Sequence, residues 1–149
     1  MINYILSKSN IMINYVGFTI VWFSCVYSGA KGDPIIALIP TFIFLLLHFL
    51  IVTDHLKEEI QLIVISIIFG LIVDSSFSFF GFVKYNGTLD FAPNLAPLWI
   101  VCMWAGFTAQ INHAMKFLIG RYPLICFYGL LAPFCLLYTS DAADDLIGV

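Results

Sequence analysis

The sequence predicts an all-α integral membrane helical bundle with four transmembrane helices and a partial fifth. Two observations predict this fold class: apolar runs fill most of the 149 residues, and 62% of the residues are hydrophobic whereas only 10% are charged. A soluble domain carries about 25% charged residues. A bilayer core about 30 Å thick needs roughly 20 apolar residues in one helix. Hydrocarbon is therefore the expected solvent of this chain.

The predicted helices follow one another with short connections. Their ranges are 12–29, 34–53, 60–83, 97–119 and, for the partial fifth helix, 122–134. Charged residues lie mostly between these ranges, because a charge at the middle of a span costs about 2.5–3.5 kcal/mol. Short connections favour antiparallel neighbours. We therefore predict a single transmembrane helical domain over residues 1–134.

The basic residues predict the orientation of the bundle. With a cytoplasmic N-terminus, the inner side carries Lys8, Lys57, Lys116 and Arg121, and the outer side carries Lys31 and Lys84. The positive-inside rule prefers this arrangement. The same residues form no basic patch, so the sequence predicts the lipid bilayer as a partner and no nucleic acid.

The first helix allows a second interpretation, that of a cleaved signal peptide. Lys8 precedes an apolar stretch, and Ser28-Gly29-Ala30 offers small residues to a signal peptidase. However, Asn14 and Gly17 interrupt the stretch, and further spans follow directly. An uncleaved first helix is therefore favoured.

Asp74 is a candidate site residue because it lies inside the third predicted helix, about 4 Å from the midplane on the outer side. It shares a helical face with Gly70, Ser78 and Gly81. Small residues let another helix approach closely, so Asp74 should point into the bundle. The functional interpretation is a proton-binding or substrate-contacting carboxyl, and the alternative is a structural hydrogen-bond anchor.

A polar stripe runs along the fourth predicted helix. Gln110, His113 and Lys116 recur at three-residue spacing, and Asn112 lies beside them. His113 is about 7 Å from the midplane on the inner side, and His48 has the same depth on the second helix. A contact between the two histidines is therefore possible.

A metal site at this depth would need a third or fourth ligand, and we expect no acid there, because Asp74 lies on the other side of the midplane. The sequence therefore predicts a histidine pair bonded to backbone or to Gln110, with no metal and no cofactor. His55 and Glu58 could form one half of a carboxylate metal site, but the run from Asp54 to Glu59 is better explained as a solvated cytoplasmic turn.

Several stretches carry a family resemblance. They are Asn14-x-x-x-Phe18-x-x-x-Trp22-Phe23-x-Cys25-Val26, Gly70-Leu71-x-Val73-Asp74-Ser75, and Pro97-Leu98-Trp99-x-x-x-x-Trp104-x-x-Phe107 with Asn112-His113-Ala114. Over about Asn10 to Phe134 the chain resembles the domain of unknown function 2878 type, a family of small multi-pass bacterial inner-membrane proteins. The resemblance implies an inner-membrane location and an accessory role linked to membrane-lipid modification. Relatives often carry an aromatic residue at the position of Lys116, which weakens any role for that lysine.

The last residues differ from the rest of the chain. The stretch Cys135-Leu136-Leu137-Tyr138-Thr139-Ser140-Asp141-Ala142-Ala143-Asp144-Asp145 resembles translated sequencing adapter, and its acidic residues end an apolar run abruptly. We expect residues 135–149 to be a non-native tail and infer no function from them.

The sequence leaves three functions open. The first is a non-catalytic accessory or structural protein, because the polar residues suit interhelical bonds and no G-x-S-x-G or H-E-x-x-H motif is present. The second is a small transporter or proton-linked channel component that uses Asp74. The third is a membrane-embedded enzyme that uses His48 and His113. A chain this short would need a membrane-protein partner or a homo-oligomer to form a pathway.

Overall fold

The computed structural model describes the backbone of residues 2–53, 55–114, 120–124 and 126–127, and the side chains of these residues from 11 onward except at 112 and 114. The elements are α1 (Ile2–Lys31), α2 (Ile35–Leu47) continued by a π-helical turn (His48–Val52), α3 (Leu56–Phe79) and α4 (Leu98–Ala114). Within the described residues there is no strand, only an isolated bridge between Leu89 and Ala92. The all-helical class is therefore confirmed.

Three helical segments are long and apolar enough to cross a membrane. They are Ile11–Lys31, Ile35–Val52 and Leu56–Phe79. The 17 residues of α4 extend over about 26 Å at 1.5 Å per residue, short of a bilayer core. Residues 115–119, which would lengthen α4 to its predicted end, lie outside the described residues, as does most of the predicted fifth helix. The count of four spans and a partial fifth is thus not confirmed.

The third helix begins and ends one turn earlier than predicted. The predicted range was 60–83, and α3 occupies Leu56–Phe79. The predicted start of this helix was placed by hydropathy, so the charged residues before Ile60 were left outside it. Glu58 and Glu59 nevertheless belong to the first turn of α3, where the helix dipole favours a carboxylate. After Phe79 the chain turns at Gly81, whose φ of +73° is readily adopted only by glycine.

Apolar side chains cover the outside of the bundle, and several polar side chains are buried within it. Large apolar side chains such as Phe42, Leu50 and Phe69 are exposed. The buried residues with polar side chains are Asn14, Ser28, Thr41, His48, Glu59, Thr108 and Gln110. This distribution suits a hydrocarbon solvent, in which polar groups must find partners within the protein.

The described residues up to Ala114 form one compact unit, and the described residues from 120 onward belong to a second unit. The boundary predicted at residue 134 lies outside the described residues. In the first unit α4 packs against α1, α2 and α3. Small side chains at the contacts, such as Ala105 and Ala109 on α4 and Cys25 on α1, are buried in the core. Small residues allow helices to approach closely where hydrophobic driving force is absent.

Candidate functional site

His48, Glu59 and His113 meet inside the bundle, and we call these three residues the histidine cluster. The His113 Nε2 atom lies 3.1 Å from Glu59 Oε1, and the His48 Nε2 atom lies 3.6 Å from Glu59 Oε2. The centroids of the two imidazole rings are 5.0 Å apart. The His48 side chain is 0% exposed, that of Glu59 8% and that of His113 16%. The predicted contact between the histidines is therefore present.

Each member of the histidine cluster lies near a helix end. His48 is the first residue of the π-helical turn, in which the Thr53 N–H donates to the His48 carbonyl at 3.1 Å. Glu59 lies in the first turn of α3, and His113 lies in the last turn of α4. Such π-helical turns occur frequently at functional sites.

Asn14 orients His48 from the first helix. The Asn14 Oδ1 atom lies 2.9 Å from His48 Nδ1, and both side chains are fully buried. An amide oxygen only accepts, so the imidazole donates through Nδ1. In the neutral ring the Nε2 atom then carries the lone pair, and this atom faces Glu59. In the sequence, Asn14 is visible as an interruption of an apolar run and as part of the family resemblance, and nothing there indicates its bond to His48.

The expectation that no acid lies at the depth of the histidines is wrong. Glu59 was interpreted as part of a solvated turn, yet only 6% of the residue is exposed. The reason is the earlier start of α3, which moves Glu59 from the connection onto the helix. A sequence signal for this existed: the face through Asp74 and Gly70, continued back in steps of three or four residues, passes Ile63 and reaches Glu59.

The other polar residues that the sequence singled out as candidate site residues fall into three groups. Gln110 is buried on α4, but its side-chain oxygen has no hydrogen-bond partner among the described residues, and the predicted bond to a histidine is absent there. The side chain of Asn112 and all of Lys116 lie outside the described residues. His55 and Glu58 are 76% and 75% exposed and 3.4 Å apart, as expected for a solvated turn.

Asp74 points into the bundle and accepts two hydrogen bonds, an arrangement we call the Asp74 anchor. The Trp104 indole N–H donates to Asp74 Oδ2 at 2.8 Å, and the Tyr85 hydroxyl donates to Asp74 Oδ1 at 2.6 Å. A methyl group added at Gly70 would overlap the Trp104 ring. The absence of a side chain at Gly70 therefore lets Trp104 reach the carboxylate.

The Asp74 anchor joins three parts of the chain. Asp74 is on α3, Trp104 is on α4, and Tyr85 is in the connection between them. Burial of the phenol and its hydrogen bond to Asp74 raise the pKa of Tyr85 above its ordinary value. Tyr85 therefore remains a protonated donor at neutral pH. This geometry favours the structural interpretation of Asp74.

A groove runs beside the Asp74 anchor, with a volume of about 420 Å³. We call it the Asp74 groove. Its walls come from α1 and α4, and the side chains that line it include Phe18, Trp22, Met103, Trp104 and Phe107, together with Asp74. The lining is almost entirely aromatic or apolar, and the Asp74 carboxylate is its one charged group among the described residues.

One comparison with known proteins gives a match. A family described as "Protein of unknown function (DUF2878)" matches residues 11–141. No curated protein and no solved structure matches the chain. The family match agrees with the resemblance seen in the sequence, and it covers most of the 149 residues. With its apolar helices and this match, the chain belongs to the DUF2878 family of proteins of unknown function.

Proposed function

We propose that this protein is a multi-pass bacterial inner-membrane protein, with its N-terminus in the cytoplasm, that serves membrane-lipid modification as an accessory. The observation that carries the proposal is the Asp74 groove. Within this role the groove holds the acyl chain of a lipid. A membrane-protein partner, or a second copy of the chain, supplies the rest of the surface on which the lipid is modified.

The chemistry of the groove supports an acyl chain as its occupant. Phe18 and Trp22 on α1 and Phe107 on α4 present ring surfaces to the groove. A volume of about 420 Å³ lies within the range of small-molecule sites, which are mostly apolar with few polar groups. Asp74 already accepts from Trp104 and Tyr85. A polar substrate would therefore find few partners here, whereas a hydrocarbon chain needs none.

The transporter alternative receives less support. A proton carrier must exchange its proton with other groups, and both oxygens of Asp74 are held by donors. The embedded-enzyme alternative is the second candidate, and the meeting of His48 and His113 favours it. The two candidates concern different places in the bundle, so they can be tested separately.

The groove is tested by photocrosslinking of the full chain in nanodiscs that contain a phospholipid with a diazirine in its acyl chain. After irradiation, mass spectrometry maps the lipid adducts to peptides. We expect adducts on Phe18, Trp22 and Phe107 to exceed, several-fold, those on Phe42 and Leu50, which are exposed and do not line the groove. Equal labelling of both groups would contradict a lipid site in the groove.

A matched pair of variants sharpens the test. Met103→Trp would fill the groove, whereas Ile72→Trp adds the same ring at an exposed position of α3. Only Met103→Trp should reduce the groove adducts. The accessory role is tested by lipid profiling of a host from which the gene is deleted. An unchanged lipid profile would overturn the accessory role even if the groove binds lipid.

A further inference from the structure

We propose that the histidine cluster is a binding site for a divalent transition-metal ion, with His48 Nε2, Glu59 and His113 Nε2 as ligands. This reverses the sequence-based expectation of no metal, which depended on the lack of an acid at this depth. The proposal does not depend on the Asp74 groove or on the accessory role.

The spacing of the three ligand groups fits a metal ion. Ligand distances of about 2.0–2.1 Å in a tetrahedral zinc site place the donor atoms about 3.3–3.4 Å apart. The His113 Nε2 atom lies 3.1 Å from Glu59 Oε1, and the His48 Nε2 atom lies 3.6 Å from Glu59 Oε2, so each carboxylate oxygen has one imidazole nitrogen near this distance. One donor atom of each residue lies within 4.8 Å of the other two. Small shifts of the side chains would therefore complete the geometry.

The hydrogen bond from Asn14 supports the same assignment. A histidine that binds a metal almost always donates its other ring N–H to a fixed acceptor, which sets the tautomer and the ring orientation. His48 Nδ1 donates to the buried Asn14 Oδ1. The lone pair of Nε2 is thereby directed towards the Glu59 carboxylate. A carboxylate oxygen and an imidazole lone pair that face one another at 3.6 Å repel each other, and a cation bound between them would remove this repulsion.

The donor set indicates the class of ion. Two imidazole nitrogens and one carboxylate suit Zn²⁺, Fe²⁺ or Co²⁺, whereas Mg²⁺ and Ca²⁺ prefer oxygen ligands. Sites with three protein ligands of this kind leave one or more positions for water or substrate. The ligands come from near the end of the second span, the start of α3 and the end of α4, so metal binding would hold three helices together.

The test is a metal titration of the full chain in detergent micelles, purified with a tag that contains no histidine. Co²⁺ is added first, because its visible absorption reports a low-coordinate protein site, and Zn²⁺ is then added in competition. We expect one Co²⁺ per chain, displaced by one Zn²⁺. Absence of stoichiometric binding by the wild-type chain would overturn the proposal.

Matched variants test whether the ion binds at the histidine cluster. Glu59→Gln keeps the size of the side chain and should weaken Zn²⁺ binding by more than about tenfold, since losing even an outer-shell partner costs about 10–100-fold. The double variant H55A/E58Q removes the same residue types from an exposed pair and should bind as the wild type does. Binding that survives in Glu59→Gln but is lost in H55A/E58Q would overturn the proposal.

The metal-site proposal can still be tested if the Glu59→Gln variant does not fold. His113→Gln removes a different ligand from a partly exposed position, and circular dichroism shows whether either variant keeps its helices. If neither folds, the wild-type titration decides: one equivalent of Co²⁺ with the intense absorption of a low-coordinate site supports the proposal. A spectrum identical to that of the free aqua ion, or no spectrum, overturns it and leaves a hydrogen-bonded ion pair.

Discussion

The Asp74 anchor and the histidine cluster are two polar sites that both involve α3 and α4, and their carboxylates have different partners. Asp74 faces an indole N–H and a phenol O–H, which are donors at neutral pH. Glu59 faces two imidazoles, which can donate, accept or bind a metal ion. A carboxylate held by fixed donors holds helices together, whereas one that contacts imidazoles can also bind a ligand.

The largest expected effect is on the packing that makes the Asp74 anchor possible. Gly70→Leu should lower the free energy of unfolding by about 3 kcal/mol, the upper part of the range for overpacking, because the side chain would overlap Trp104. Unfolding in mixed detergent micelles measures this, with Ile68→Leu, at an exposed position of α3, as the control. Equal stability of the two variants would show that Trp104 does not pack on Gly70.

The second expected effect concerns Asp74 itself. Asp74→Leu should cost about 2 kcal/mol of unfolding free energy, since it removes two hydrogen bonds, one from α4 and one from the connection before it. Such bonds in membranes are worth about 0.6 kcal/mol on average and at most about 1.7 kcal/mol each. Asp74→Asn keeps one acceptor oxygen and should cost about half as much.

The matched control is Asp90→Asn, an exposed acid in the connection before α4, which should leave stability unchanged. Neither Asp74 variant should alter the affinity for Zn²⁺. If Asp74→Asn abolished a transport activity without a loss of stability, the anchor interpretation would be wrong and the proton-carrier alternative would stand.

The third prediction concerns the support of the histidine cluster. Asn14→Leu should weaken Zn²⁺ binding by about tenfold, equivalent to about 1.4 kcal/mol, the lower limit for loss of an outer-shell partner. The physical reason is that His48 would lose the acceptor that fixes its tautomer. Competition with Co²⁺ measures the effect. An unchanged affinity would mean that Asn14 only fills space beside His48.

The smallest expected effect lies between the two sites. Thr108 on α4 and Ser66 on α3 join their hydroxyl groups at 2.6 Å. Thr108→Val should lower the free energy of unfolding by about 0.6 kcal/mol, the average for such bonds in membranes. Thr19→Val is the control, because within the described part of the chain the Thr19 hydroxyl bonds only to its own helix, at the Tyr15 carbonyl. A much larger loss of unfolding free energy would indicate that the contacts between α3 and α4 form cooperatively.

The sequence predicted those features that depend on hydropathy and helical spacing. The helical class and the apolar spans follow from composition, and the pairing of His48 with His113 follows from their equal depth on two helices. The inward direction of Asp74 follows from the small residues on its face. These inferences need only the rise and the period of a helix.

The partners of these residues could not be predicted in the same way. Hydropathy places the start of a helix after the last charged residue, so Glu59 was assigned to the connection. A helix can nevertheless begin earlier, with its carboxylates in the first turn. Asn14 and Tyr85 were missed because their contacts span 34 and 11 residues. Such contacts depend on which helices are neighbours, which the periodicity of a single helix does not determine.

The π-helical turn His48–Val52 contains one more residue than an α-helical turn would. Since each residue of an α-helix turns the chain by about 100°, removing one residue from this turn would rotate His48 relative to the segment that follows it. Hydropathy and span length would hardly change. Among members of this family, chains with a single-residue deletion at this place would therefore keep the helical scaffold but could not bring His48 into the histidine cluster.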